Sequence, residues 1–316
     1  EFSDPAINGW SPEQTGDRIM RRKTCIIPLS GGKSLEPVSR FVKAQGINHH
    51  YFDWGNSTAP PLLLLHAVGL CASTWNSNAK ALSEDFHVMC FDHRGHGDTE
   101  ATDQDLTFHQ AGEDLAEIIR QMDLEGVDTV GHSLGGMATM IADSLQPGII
   151  GRSVIIESRV GPRPASAPSQ ELQERAKRAA MKRSVWESRE TMYEAYRNRS
   201  VFKNWTDEVF GDFIEGGTRL LPDGRAELKC KPTVEASFYG QRDGVNDAVY
   251  IERLRGQYLL LLGDYPTGQK LEDVGVKDFL KVVPGSQVKA MGCGSHFLPM
   301  EFPDLVLREI KGFLGE

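Results

Sequence analysis

Little in this 316-residue chain points to a membrane, a polyanion or a metal. No apolar run approaches the ~18 residues of a membrane span. The longest, Leu62 to Leu65 and Leu259 to Leu262, have the length of buried parallel strands. Basic residues are outnumbered, 35 Lys and Arg against 44 Asp and Glu, giving a net charge of −9 at pH 7. That balance leaves no footprint for a nucleic acid. The basic residues between Arg175 and Arg199 alternate with acids and read as a solvated helical face. Cysteine is scarce: five are scattered, at Cys25, Cys71, Cys90, Cys230 and Cys293, without CxxC spacing. Neither a disulfide framework nor a structural metal is expected, and no cofactor is implied. The first residues carry no apolar leader, so a cytoplasmic protein is expected. Because the chain opens on Glu1-Phe2, a leader removed upstream stays open; the sequons at Asn56, Asn198 and Asn204 matter only if the protein is secreted.

What is present is an alternation of strands and helices. Residues 1–40 are rich in Pro, Gly, Ser and charge and read as an extension over the domain surface. Gly31-Gly32-Lys33-Ser34 imitates the end of a phosphate loop, but the first glycine of such a loop would fall at Ile27. Phe41 to Trp54 alternates like a hairpin. Strands are expected at Leu62–Leu65, His87–Phe91, Val127–Val130, Ser153–Ile156, Tyr258–Leu262 and Val288–Met291. Helices are expected at Trp75–Leu82, after Thr107 as N-cap, at Met137–Leu145, and from Pro303 onward. This order implies an α/β class with a mostly parallel sheet flanked by helices. Residues 41–158 and 256–316 form its core. Between them, residues 159–255 break the alternation: a Pro-rich entry (Pro162, Pro164, Pro168), helices, one of them capped by Asn204, and a Pro222-Asp223-Gly224 turn. This insertion reads as a helical cap over the strand ends.

The sharpest chemical signal is Gly131-His132-Ser133-Leu134-Gly135-Gly136, a G-x-S-x-G elbow between an apolar strand and a helix. A serine on so tight a turn needs small neighbours, which Gly131 and Gly135 supply. The N–H of Leu134, at the helix start, points to where an oxyanion would form. Activating the serine takes a base, and the base takes an orienting carboxylate. Of nine histidines, His296 is the strongest base candidate: it lies in a glycine-rich loop after the last strand. His66, His93, His96 and His132 occupy tight loops beside strands and read as structural histidines.

These residues resemble the α/β-hydrolase fold family. The elbow, the His66-Ala67-Val68-Gly69 turn, the Asp92-His93-Arg94-Gly95-His96-Gly97 turn and the His296 loop match its landmarks in chain order. The resemblance covers about residues 41–316, with the insertion in the place of the family's cap. It implies a hydrolase and says little of substrate. Many members carry the acid after the penultimate strand, as G-x-x-D; here that loop reads Gly263-Asp264-Tyr265-Pro266-Thr267, with proline at the usual place. Glu157 instead ends the strand after the elbow helix. Some capped members, including zearalenone lactonases, acetamidomethylene-succinate hydrolases and certain haloalkane dehalogenases, take the acid from that strand end. The resemblance therefore implies a triad of Ser133, His296 and Glu157, with Asp264 as the alternative acid. By resemblance the second oxyanion donor is the Val68 N–H, with Ala67 as the alternative.

The leading expectation is a serine hydrolase cleaving a small apolar ester or lactone through an acyl-enzyme. A C–C bond hydrolase of a diketone-like compound and a ligand-binding receptor on the same fold are the alternatives. Dehalogenation and epoxide opening are disfavoured because both place an aspartate where Ser133 stands. Trp186, Trp205 and Phe213 are candidate substrate contacts, although an aromatic stripe at helical spacing also serves as cap core. Nothing in the sequence fixes the oligomeric state.

Overall fold

A computed structural model describes residues 36–101, 106–160, 170–240, 247–264 and 274–315. The phosphate-loop imitation, most of the N-terminal extension and the prolines at the insertion's entry lie outside the described residues. The chain opens with an antiparallel pair, β1 (Val38–Ala44) and β2 (Ile47–Asp53). It continues through β3 (Pro61–Leu65), a single 3-10 turn at Ala72–Trp75, α1 (Asn76–Leu82), β4 (His87–Phe91) and α2 (Phe108–Gln121). Next come β5 (Val127–His132), α3 (Leu134–Leu145) and β6 (Ile150–Ile156). The insertion holds α4 (Gln170–Ala180), β7 (Val185–Trp186), α5 (Arg189–Arg197), α6 (Asp207–Gly216), β8 (Thr218–Leu220), β9 (Ala226–Leu228), α7 (Pro232–Gly240) and α8 (Asp247–Arg253). The chain then returns as β10 (Gln257–Leu262), α9 (Val274–Val282), β11 (Gln287–Ala290), α10 (Leu298–Glu301) and α11 (Pro303–Leu314).

Among the described residues, eight strands form one sheet in the order β1-β2-β4-β3-β5-β6-β10-β11, parallel from β4 to β11. The run Leu62–Leu65 shows why helices cover both faces. Successive side chains of a strand point to opposite sides. Leu63 and Leu65 therefore pack under α2 and α3, against Leu115, Ile119 and Ala138. Leu62 and Leu64 pack under α1 and α11, against Leu82, Val306 and Ile310. All four leucines are buried, each contributing about 1.5–3 kcal/mol relative to exposure. Thr107 caps α2 by accepting the Gln110 N–H.

Sheet and insertion belong to one compact unit running from Leu35 to Glu316. The insertion departs from the expected pattern in two ways. It is not wholly helical, because β7, β9 and β8 form a three-stranded antiparallel sheet whose hairpin turns at Pro222-Asp223-Gly224. And α6 is capped by Thr206, whose hydroxyl accepts the Val209 N–H, rather than by Asn204. The residue between them, Trp205, is buried, and the Thr206 N–H donates to Met300 O, which fixes where the helix can begin.

Candidate active site

The strands β3, β5, β6 and β10 lie side by side, and their carboxyl ends carry the groups of interest. Ser133 follows β5 directly and caps α3 with φ 52° and ψ −104°. That is a sparsely populated region for a residue with a side chain, typical of strain held at a functional position. The surroundings hold it there. Its N–H donates to Ile156 O (2.9 Å), and its carbonyl accepts from the Met137 N–H (3.1 Å) and the Ser158 hydroxyl (2.7 Å). A Cβ on Gly131 would come within 2.5 Å of the Gly135 carbonyl carbon, and one on Gly135 would overlap the Leu65 backbone. Only glycine lets α3 start this close to the strands.

Glu157 follows β6 and is also left-handed, with φ 49°. Its N–H bonds Leu261 O (3.1 Å), which turns the side chain inward beside β10. The carboxylate is fully buried: Oε1 accepts the Gly263 N–H at 2.5 Å, and Oε2 faces His296 Nδ1 at 3.7 Å. Oε2 has no hydrogen-bond partner among the described residues. At 3.7 Å the two groups are in close approach without a formed hydrogen bond. Gly263 makes the meeting possible, since a Cβ there would press on Ser295 O at 2.9 Å and Glu157 Oε1 at 3.3 Å. The loop expected to supply the alternative acid thus supplies a backbone donor to Glu157. Asp264 is exposed, its N–H bonded to Cys293 O (3.2 Å).

His296 keeps 33% of its side chain exposed, in a loop where Gly292 and Gly294 have φ of 65° and 81°. That loop is fastened by its neighbours. Glu301 accepts the Ser295 N–H (2.6 Å) and hydroxyl (2.8 Å), and the Ser295 hydroxyl oxygen accepts the Phe297 N–H (3.1 Å). His132 Nε2 donates to His296 O at 2.7 Å.

The other histidines near the strand ends serve as scaffold. Burial pushes His66 well below its ordinary value, His93 to about 3 and His96 to about 4, so they are neutral at pH 7. His66 Nδ1–H donates to Ala67 O and its Nε2 accepts the His93 N–H. His96 Nδ1–H donates to Arg94 O and its Nε2 accepts the Gly69 N–H. The 66–69 turn is thereby locked, and the Gly135 N–H ties it to α3 through His66 O (3.1 Å). Gly69's N–H is taken, whereas Leu134, as first residue of α3, has no intrahelical acceptor for its own. Ala67 and Val68 are buried in the same turn.

His50, Asp92 and Asp98 bring ligand-type atoms within 4.8 Å of one another. Those atoms have protein partners: Asp92 takes the His50 Nδ1–H (2.6 Å), the Ala72 N–H (2.7 Å) and the Asp98 N–H (3.1 Å). Asp98 pairs with Lys229 Nζ at 2.7 Å. The set reads as an anchoring network.

Trp186, Trp205 and Phe213 sit together with Tyr196, Phe202 and Phe210 in one buried cluster resting on Ala67, Leu70 and Met300. Their first contacts are with one another. Trp205 also packs on Phe297, next to His296, with ring centroids 5.3 Å apart. Sequence reasoning set His132 aside as structural and did not single out Ser158 or Glu301. Their partners lie far away in the chain or act through backbone atoms, which no motif spells out.

A model of the alpha/beta hydrolase family matches residues 62–309. The chain belongs to that family. An (E)-2-((N-methylformamido)methylene)succinate hydrolase of Acinetobacter baylyi is 30% identical over 107 residues, 34% of this chain and 40% of that protein. An sn-1-specific diacylglycerol lipase of Mus musculus is 31% identical over 149 residues, 46% of this chain and 48% of that one. The aligned stretches thus span less than half of either relative. Among solved family members, an E-2-(acetamidomethylene)succinate hydrolase superposes with a TM-score of 0.76 at 18% identity, covering 89% of this chain and all of that one. At that identity the likeness speaks for the fold. No helix among the described residues is long and apolar enough to cross a membrane.

Proposed function

We propose that this alpha/beta hydrolase is a serine hydrolase that cleaves a small apolar ester or lactone through an acyl-enzyme. The observation that carries the reading is the buried Glu157 Oε2, unpartnered among the described residues and facing His296 Nδ1 at 3.7 Å, at the end of the strand next to the strained Ser133 elbow. Ser133 Oγ attacks the acyl carbon while His296 Nε2 takes its proton. Glu157 orients the imidazole and stabilises the imidazolium that forms. The tetrahedral oxyanion is held by the N–H groups of Leu134 and Val68, with Ala67 as the alternative second donor. Two such donors act only as charge develops, and losing one typically lowers kcat about 10²–10³-fold. Collapse expels the alkoxide, which His296 protonates; water, deprotonated by His296, then releases the acid. With a lactone, the alcohol stays attached and the product is a hydroxy acid.

The test is reaction of the purified chain with a fluorophosphonate, located by mass spectrometry, alongside hydrolysis of a panel of aryl esters, macrolactones and small amides. Phosphonylation of Ser133, lost in Ser133→Ala and strongly slowed in His296→Ala, is the expected result. No adduct, or labelling at an undiminished rate in His296→Ala, would overturn the proposal.

A further inference from the structure

We propose that His132, the residue before the nucleophile, is a positioning residue that sets His296 by donating its Nε2–H to the His296 carbonyl. The inference rests on the serine-hydrolase reading above and goes beyond it in assigning a role to His132. His296 lies in a loop rather than a strand, after two glycines in the left-handed region, so its backbone has no ladder to fix it. The Glu301 and Ser295 bonds secure the residues on either side. Among the described residues, the 2.7 Å bond from His132 is the hydrogen bond that reaches the His296 backbone itself, and it comes from the residue next to Ser133. Nucleophile and base are thereby tied through a single imidazole.

Three observations separate this role from simple core filling. His132 is fully buried, and burial pushes it down to about 3, so at pH 7 it is neutral and neither base nor acid. With Nε2 donating, the lone pair belongs to Nδ1, and that atom is buried with no partner among the described residues. An unpaired acceptor in the core is unfavourable, and leucine or phenylalanine would avoid it. What imidazole supplies that they do not is the Nε2–H. The two imidazoles also pack, ring centroids 5.2 Å apart, so the ring that donates to the carbonyl also borders the base. Reacting groups held within a few tenths of an ångström react faster, and a displacement of ~1 Å slows reaction by about 100-fold.

The experiment measures fluorophosphonate labelling kinetics on the full chain, separating the inactivation rate constant from probe affinity. The variants are His132→Leu, His132→Asn, His132→Gln and His296→Ala, with thermal melting as a control for folding. Glutamine places its amide nitrogen near the position of Nε2; asparagine stops one methylene short. The expected result is an inactivation rate about 10- to 100-fold lower in His132→Leu and His132→Asn, with affinity unchanged, and recovery to within about threefold in His132→Gln. Should His132→Leu fail to fold, the Asn–Gln pair, both polar, carries the test alone. Equal rates for Asn and Gln, or a wild-type rate in His132→Leu while His296→Ala is slow, would refute the role of His132 and leave the triad standing. A wild-type rate in His296→Ala removes the hydrolase reading itself, and the inference with it.

Discussion

Two histidine–carboxylate pairs stand at the same edge of the sheet, and they differ in completeness. In the first, His50 Nδ1 donates to Asp92 at 2.6 Å, His50 Nε2 meets Ser39 Oγ at 2.9 Å, and the Asp92 oxygens take two further backbone donors. Both side chains are buried, and each polar atom of the two has a hydrogen-bond partner. In the second, His296 is one-third exposed, stands 3.7 Å from Glu157, and leaves Oε2 without a hydrogen bond among the described residues. The first pair is finished by folding. The second is left open, with strained backbone at Ser133 and Glu157 to hold it so. A group that folding leaves unsatisfied in a well-packed region is where a reaction can supply the missing partner, and in the mechanism proposed above that partner is the proton on His296 in the transition state.

The contrast breaks most visibly at the open pair. Ser133→Ala and His296→Ala are expected to lower kcat on a turned-over ester by about 10³-fold or more while the melting temperature moves by no more than a few degrees. Neither side chain fills the core, so neither change opens a cavity. Retained turnover in Ser133→Ala, or a collapsed melting transition in either variant, would place these residues with the finished pair.

The acid side sharpens it. Glu157→Gln keeps the shape and the Gly263 bond but removes the charge that selects the Nδ1–H tautomer, so kcat should fall by about 10²–10⁴-fold. Asp264→Asn should lower it less than about tenfold, since Asp264 is exposed. Parallel kcat measurements decide it, and the reverse pattern would return the acid to the commoner loop.

At the finished pair the expected damage is to stability. Burial works against the Asp92 charge, but the His50 hydrogen bond and the Ala72 N–H favour it, and its carboxyl lies below the ordinary range. The sign follows: a carboxyl depressed in the folded state stabilises above its unfolded value near 4, and that stability is lost as pH falls through the folded value. Asp92→Asn should therefore melt lower at pH 7, by about 3 kcal/mol or roughly 6–10 °C, and the gap to wild type should narrow below about pH 4. Melting curves at pH 7 and pH 3 read both effects. A melting temperature unchanged at pH 7 would mean the network adds nothing to stability.

How much of this was legible in the sequence follows from the range of each signal. The sheet was, because Leu62–Leu65 and Leu259–Leu262 are apolar on both faces and such runs fit few other structures. The elbow was, because Gly131 and Gly135 are required by local sterics. The small sheet of the insertion was not: Thr218-Arg219-Leu220 and Ala226-Glu227-Leu228 are short and charged, held by pairing and by the Arg219–Glu227 bond rather than by an apolar pattern. The helix α9 was not read either, although Val276 and Phe279 are its buried anchors. Within the site, Glu157 and Asp264 could be ranked only by analogy, since what brings Glu157 to His296 is the backbone turn at φ 49° and the missing side chain at Gly263. The His132 bond spans 164 residues, beyond any local pattern.

A third carboxylate lies between the two pairs in character and gives the smallest effect. Asp212, half-buried on α6, is held against the Ala72–Trp75 turn, where its carbonyl accepts the Ser73 hydroxyl (2.9 Å). Burial pushes its carboxyl up to about 6, the Asn76 side chain opposes the shift, and the charges of Glu208 and Glu215 add to it. The sign is opposite to that at Asp92: the folded state holds its proton more tightly than the unfolded state, so stability falls as pH rises from about 4 to about 6 and stays lower above. Asp212→Asn is neutral throughout and removes that fall. Its amide can also donate to Asn76 Oδ1, which is buried without a partner among the described residues. The variant should melt a few degrees higher than wild type at pH 7, less than burial alone suggests because solvent screens a half-exposed group, and the gain should vanish near pH 4. Melting temperatures across that range test it. A variant that melts lower at pH 7 would show that the Asp212 charge is paired by something in the insertion, and would move it to the side of Asp92.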